Sequence, residues 1–497
     1  MKFKLFPKVI VFFIISVLFF NCTKSEDGIP ENLEIENFVW RGLNAYYLWQ
    51  NDVPDLADVR FSNQNQINSY LEGFSSPENL FDNLLYTEAN GYPVNEKGYD
   101  RFSWIVDDYV ALENSFQGIN LSTGMEFGLK RYNSSTTNVY GYVRYVIPTT
   151  NAEIKGVERG MIFNTINGTQ LTDTNYQNLL FGTNSNLEIG LADYNAGNPN
   201  TNGTTISLTK EIVTENPVAI SKVINKGGKK IGYLLYNQFS SSFDGELNAA
   251  FNDFKTELVD KLIIDLRYNG GGSVRTATYL GSMISTQPTD NIFSKQVWNE
   301  KAMKVFTPDN LINYFTNEIN NTDENGSVIL QEPINSLNLT SVYFIVSGST
   351  ASASELVINA LRPYIDVKLV GTTTVGKQVG SITLYDSEDY SRTGADLNTN
   401  HTYAMQPIVL KISNKDDQDE INGFTPGVTL PGIQLEEDYN NLGELGDPTE
   451  PLLARTITYI TTGSKGDFKT NVEEYSEIYN SKLATPAGNN MYVDFKK

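Results

Sequence analysis

The sequence predicts an α/β protein of several domains, and three observations lead there. Its 497 residues exceed the roughly 250 to 300 that one hydrophobic core supports. The apolar pattern changes from helical spacing before residue 111 to short strands between 120 and 214. After Pro217 strands alternate with helices, the pattern of a largely parallel sheet covered by helices.

Taken in order, Phe38, Trp40, Leu43, Tyr46, Tyr47 and Trp49 form an aromatic stripe near helical spacing. It reads as the core side of an N-terminal helical domain over 33–115. Strands follow over 127–132, 139–147, 160–166 and 205–210, with Asn167-Gly168 as a turn signal and 195–204 as an enlarged hairpin loop, in a β-rich domain over 116–214. The core, 215–440, reads as strand 231–236, helix 246–258, strand 261–266, helix 274–284, strand 342–346, helix 354–361 and strand 367–370. An insertion over 285–338 is expected to carry its own helix at 311–319. The final part, 441–497, opens with a closing helix at 449–462.

Composition excludes several functions. The net charge is −22 and no basic stripe occurs, which disfavours nucleic acid, whose binding neutralises phosphates with clustered Lys and Arg. With one cysteine and one histidine, a structural disulfide, a Cys/His zinc site and a Cys–His nucleophile are excluded. No metal or organic cofactor is expected. A Ser-His-Asp triad could draw only on His401, which stands in a polar run read as a solvated loop.

The amino terminus reads as an address. Three lysines precede the apolar run 9–20 (VIVFFIISVLFF), a secretory signal too short for a comfortable membrane span. The run meets Asn21-Cys22, which resembles the lipobox of bacterial lipoproteins, with Asn21 in place of the usual small residue. That resemblance implies signal 1–21, lipidation of Cys22, a tether over 22–32 and a place on the bacterial cell envelope, anchored to a membrane and facing the periplasm or cell surface. A plain cleaved signal and an uncleaved anchor are the alternatives.

Three segments carry chemistry. In 341–361 (SVYFIVSGSTASASELVINAL) an apolar strand runs through small residues into a helix, which presents a serine and free N–H groups where an oxyanion could develop. Ser352 and Glu355 equally fit a capping box, and the segment alone leaves both readings open. Lys377 lies between Gly376 and Gly380 in GTTTVGKQVGS, as a solvated surface lysine or as a buried base. The second reading asks burial to lower its pKa from about 10.4 to roughly 7 to 8. In 261–273 (KLIIDLRYNGGGS) a strand ends in three glycines whose N–H groups could cradle an anion, without the Gly-Lys-Ser/Thr of a phosphate loop.

Together these segments resemble the carboxyl-terminal processing (tail-specific) serine peptidase family, whose core is crotonase-like. DLRYNGGG matches its D-L-R-x-N-x-G-G, TASASE its [ST]-A-S-A-S-E, and Lys377 follows Ser352 at the family's spacing. The stretch 149–171 (TTNAEIKGVERGMIFNTINGTQL) is similar to a PDZ-domain passage, and NGFTPGV at 422–428 to the family's G-x-x-P-D turn, with Gly427 for the Asp. The resemblance implies Ser352 as nucleophile, Lys377 as base, an oxyanion hole from the N–H groups of Gly271 and Ala353, and no cofactor. It implies peptide carboxylate binding at a loop of Phe127, Gly128 and Leu129, and protein or peptide substrates with accessible carboxyl termini. Many members carry a glutamine four residues after the lysine; here Ser381 stands there, and Gln378 or Ser381 could support the dyad instead. The rival is a non-catalytic peptide- or ligand-binding envelope lipoprotein on the same fold.

Overall fold

The computed structural model describes residues 28–323, 325–464 and 477–493. The signal 1–21 and Cys22 lie outside the described residues, as does most of the tether. Among the described residues no helix is long and apolar enough to cross a membrane.

The central sheet runs Val218–Lys226, Lys229–Tyr236, Lys261–Asp265, Ser341–Val346, Asp366–Gly371, Gly432–Gln434. The first pair is antiparallel and every later pair parallel. Side chains alternate across a strand, so both faces need cover. Leu262 and Ile264 join a core with Phe251 and Phe254 of helix Asp244–Thr256, Leu280 of Val274–Ile284 and Leu356 of Ala353–Leu361. Ile263 faces the other way, with Leu453 and Ile457 of helix Pro451–Thr462.

The N-terminal helices share the first of these cores. Phe38, Leu43 and Trp49 lie in one cluster with Leu262 and Phe344. Helix Glu34–Tyr46 approaches the strand Ala404–Gln406 closely enough that a side chain at Gly42 would run into Met405. Beyond the helix, the Tyr47 hydroxyl donates to Asp100 (2.8 Å) and accepts from the Tyr86 N–H (2.8 Å). Asp100 in turn accepts the N–H groups of Phe102 and Ser103 (2.9 Å each), which fixes the stretch 100–103.

The β-rich middle part is a sheet in the order Tyr479–Asn480, Met125–Arg131, Val139–Val146, Ile162–Ile166, Asn186–Asp193, Asn200–Thr209. It has its own apolar core, including Phe127, Val143, Phe163 and Leu180. Leu180 comes from the helix Tyr176–Phe181, and a groove lined by Met125, Phe127, Leu180 and Phe181 lies between that helix and Met125–Arg131.

Three expectations are corrected. The helix expected at 311–319 is absent: a short turn, Pro308–Leu311, gives way to strands Ile312–Tyr314 and Glu318–Thr322. Ile312 pairs with Lys295 and Glu318–Thr322 with Val328–Pro333, so sheet pairing overrides the helical spacing. The hairpin loop at 195–204 is shorter, because Asn200 already pairs with Asp193 and positive φ at Asn195, Ala196 and Gly197 closes the turn. Phe127, Gly128 and Leu129 form no loop; they sit inside Met125–Arg131, paired with Val143, Tyr142 and Gly141. Gly128 is required by packing, since a side chain there would run into the Tyr142 ring and the Glu477 carboxylate.

A buried ion cluster ties the sheet to the last helix. Arg267 donates to both Asp265 oxygens (2.9 and 2.7 Å), to both oxygens of Glu450 (2.7 and 3.0 Å) and to Glu437 (3.1 Å). Glu450 also caps helix Pro451–Thr462 through the Leu453 N–H (2.7 Å). Burial raises the Glu437 carboxyl, but Arg159 and Arg267 outweigh it and hold the pKa at about 2, below the ordinary 4.5. The unfolded chain therefore binds the extra proton first, so this stability is complete above the unfolded value and is lost as pH falls through about 2. Glu437→Gln should cost about 3 kcal/mol at neutral pH. Thermal unfolding of the two proteins should show the gap closing between pH 5 and pH 2.

Candidate active site

The three chemistry-bearing segments leave the carboxyl ends of three strands that are neighbours in the parallel sheet. Lys261–Asp265 leads into the triple glycine, Ser341–Val346 into the serine turn, and Asp366–Gly371 into the lysine loop. Loops at the carboxyl edge of adjacent parallel strands converge, which is why residues about a hundred apart in sequence meet here. Hydrogen bonds join them. The Ala351 N–H donates to the Asn269 carbonyl (3.1 Å), Thr350 Oγ1 to Leu266 (2.8 Å), and the Val375 N–H to Thr350 (3.0 Å).

Ser352 is fully buried and precedes helix Ala353–Leu361 with φ 66° and ψ −118°. A positive φ is costly for a serine and persists only where the surroundings impose it. Glu355 imposes it. Its buried carboxylate accepts the N–H groups of Ser352 (2.9 Å), Gly376 (2.7 Å) and Lys377 (2.8 Å), and the Thr374 hydroxyl. Burial pushes this carboxyl up, and the four donors work against that rise. The Glu355 cap on the Ser352 N–H is thus present, and the same carboxylate reaches across to the lysine loop.

The neighbouring Ser354 hydroxyl donates to the Asn269 carbonyl (3.1 Å), whereas Ser352 Oγ is buried without a hydrogen-bond partner among the described residues. Of the two serines, Ser352 is the one with a free hydroxyl. The Cα of Gly271 lies against it: a side chain there would come within 2.5 Å of Ser352 Cβ.

Lys377 is fully buried, with its amine 4.6 Å from the centre of the Phe102 ring. Burial lowers its pKa from 10.5 to about 7, while the charges of Asp100 and Glu355 recover only part of the loss. The amine donates to the Asn489 carbonyl (2.7 Å). At neutral pH a large fraction of this lysine is uncharged, the state a general base requires.

Other expectations fare differently. The Gly271 N–H is donated to Asn269 Oδ1 (2.9 Å), so this oxyanion donor is engaged here, while the Ala353 N–H opens a helix, where no intrahelical acceptor exists. Gln378 is buried with neither side-chain polar atom partnered among the described residues, and it supports no dyad in this structure. Ser381 turns away from the lysine, with its hydroxyl bonded to Gln406 Oε1 (2.6 Å) and Asn490 Oδ1 (2.9 Å). His401 is no solvated residue: its side chain is 10% exposed, with Nε2 3.1 Å from Asp386 Oδ2 and Nδ1 accepting the Tyr403 N–H. Phe102 and Asp100, which carry no motif in the sequence, and the stretch 477–493 also reach the site, and Glu355, expected as a cap, holds the lysine loop as well.

A family model described as peptidase family S41 matches residues 230–406, and one for the peptidase S41 N-terminal domain matches 34–104. The carboxyl-terminal-processing protease of Picosynechococcus sp. is 27% identical over 173 residues, 35% of this chain and 35% of its own length. The chloroplastic carboxyl-terminal-processing peptidase 2 of Arabidopsis thaliana is 26% identical over 249 residues, 49% of this chain and 41% of its own length. The chain thus spans about a third to two-fifths of the length of these curated relatives. The crystal structure of an S41 protease from Bacteroides fragilis NCTC 9343 aligns with 86% of this chain and 97% of its own, with a TM-score of 0.59 and 23% identity. That is a likeness of fold.

Glu355→Gln tests the joint. An amide keeps one accepting oxygen and turns its NH2 toward N–H groups, so at least one buried donor loses its partner at a cost of about 1 to 3 kcal/mol. If Ser352 is the nucleophile, its covalent labelling by a fluorophosphonate should slow about 10²-fold, because misplacement of reacting groups by about 1 Å costs that much. Thermal unfolding alongside should show a folded, modestly less stable protein.

Proposed function

Because the chain belongs to peptidase family S41, we propose that it is a serine endopeptidase of the carboxyl-terminal processing type, hydrolysing peptide bonds in exported proteins through a Ser352–Lys377 dyad. The observation that carries this reading is Lys377, buried with its pKa near 7 in the site that holds the free hydroxyl of Ser352. Neutral Lys377 takes the proton of Ser352 Oγ as that oxygen attacks a peptide carbonyl. The C–N bond of the tetrahedral adduct then breaks, and the lysine ammonium returns the proton to the leaving amine. Water, deprotonated by the same amine, releases the acyl group. The Ala353 N–H is aimed by the helix start at the developing oxyanion, and the Gly271 N–H joins it once freed from Asn269 Oδ1. For the first step the Lys377 amine must leave the Asn489 carbonyl and face Ser352.

The β-rich part is read as a PDZ-like recognition domain in which a substrate peptide adds as a strand along Met125–Arg131. Substrates are proteins or peptides with accessible carboxyl termini. A signal at 1–21 exports the chain, a lipid on Cys22 holds the enzyme at a bacterial envelope membrane, and the charge of −22 keeps it from nucleic acid.

Hydrolysis of an unstructured protein by the parent, and its loss in Ser352→Ala, is the primary test. If Lys377 is the base, its lowered pKa fixes the pH dependence: below about 7 the folded enzyme holds it as ammonium, so kcat/KM should rise tenfold per pH unit and level off above. Lys377→Arg should lose about 10²- to 10⁴-fold in kcat, since guanidinium does not deprotonate. A fully active Lys377→Arg enzyme would require another base. Cys22→Ser should move the protein from the membrane to the soluble fraction in cell fractionation.

A further inference from the structure

The groove along Met125–Arg131 is already filled, by the chain itself. Tyr479 pairs with Leu129 and Asn480 with Gly128 as an antiparallel strand. The Ile478 N–H donates to the Leu129 carbonyl (2.9 Å), and Ser481 Oγ accepts the Phe127 N–H (2.9 Å). The Tyr479 ring rests on Tyr176 and Phe181 across the groove, with centroids 5.5 and 5.4 Å apart. Just ahead of the strand, the Glu477 carboxylate accepts from Arg144 and the Tyr142 hydroxyl. A paired strand, a seated aromatic and a matched charge are the means by which sheet edges recognise extended peptides.

The same segment then crosses the catalytic residues. Its Gly488 carbonyl lies where any side chain at Gly270 would stand, and its Asn489 carbonyl takes the Lys377 amine (2.7 Å). The Asn490 side chain is buried between Gln406 and Ser381 (2.6 and 2.9 Å). Met491–Tyr492 adds as a parallel strand to Gly272–Ser273 and Val379–Ser381. One stretch thus holds the groove and the base, and Ser352 Oγ is left without a partner among the described residues.

We propose that segment 477–493 is an intramolecular ligand of the chain's own peptide groove and dyad, which keeps the peptidase blocked until a protein substrate displaces it. The blocking rests on the peptidase reading given above; the filling of the groove does not. Substrate and segment compete for the same backbone groups of 127–129, so they cannot bind together. A tethered ligand acts at an effective concentration on the order of millimolar. A substrate at micromolar concentration therefore succeeds only with a better strand, aromatic and acid than Ile478, Tyr479 and Glu477 supply, or with several contacts at once.

The test uses the full chain, the double variant Glu477→Lys with Tyr479→Ala, and a fluorescent synthetic peptide of residues 477–493. The double variant sets like charge against Arg144 and empties the aromatic seat without altering Ser352 or Lys377. It should cleave an unstructured protein about tenfold faster than the parent or more, as expected when a mostly closed site opens. It should bind the peptide more tightly than the parent does, and the peptide should inhibit it. Equal cleavage by parent and variant, with equal peptide binding, would overturn the proposal. Ser352-dependent release of 477–493, seen by mass spectrometry, would also overturn it, making the segment a substrate. Tighter peptide binding by the variant without hydrolysis by either protein would leave the filled groove standing and remove the peptidase reading and the blocking with it.

Discussion

A buried carboxylate needs donors on several sides, and that need organises the edge of the sheet where the serine turn and the lysine loop meet. Glu355 has no access to solvent and takes its donors from two separate loops. An unpaired carboxylate at this depth would cost several kcal/mol, so the serine turn and the lysine loop are held at fixed separation as long as the helix between them is formed. The same pairing imposes the positive φ of Ser352. The positions of Ser352 and Lys377 therefore depend together on one side chain that holds both by their backbone N–H groups.

The remaining architecture serves that joint by burial. Parallel strands carry the three loops to one edge, and the ion cluster of Arg267 with Asp265, Glu437 and Glu450 locks the strand before the triple glycine to the last helix. The aromatic N-terminal helices close the opposite side, bringing Phe102 onto the Lys377 amine. Depression of the lysine pKa follows from this enclosure more than from any neighbouring charge, since Asp100 and Glu355 both oppose it.

How much of this was legible in the sequence depended on whether a residue's role is local. The strand-to-helix serine turn, the glycine triple and the alternating core strands declare themselves through spacing, and each lies where its pattern places it. Ile312 and Asn200 were misread because their partners, Lys295 and Asp193, win them for sheets that helical spacing or a loop-like composition does not reveal. Gly128 looks like a turn residue and is a packing residue, because the atoms that demand it belong to Tyr142 and to Glu477, far along the chain. Gln378 and Ser381 were sensible supports by position. Side-chain direction, which spacing does not encode, sends one into an unpartnered niche and the other toward Asn490.

The burial of Lys377 has a consequence for the time before the chain is folded. An exposed lysine keeps an ordinary pKa near 10.4 and is protonated at neutral pH. The groups that enclose this amine come from distant stretches of chain, Phe102 before it and Asn489 after it. Contacts so far apart in sequence form late. On the proposed Ser352–Lys377 reading, a chain not yet folded holds both residues but no neutral amine, and the base forms only when these distant stretches have packed. Loss of the amine's charge is thereby tied to completion of the fold.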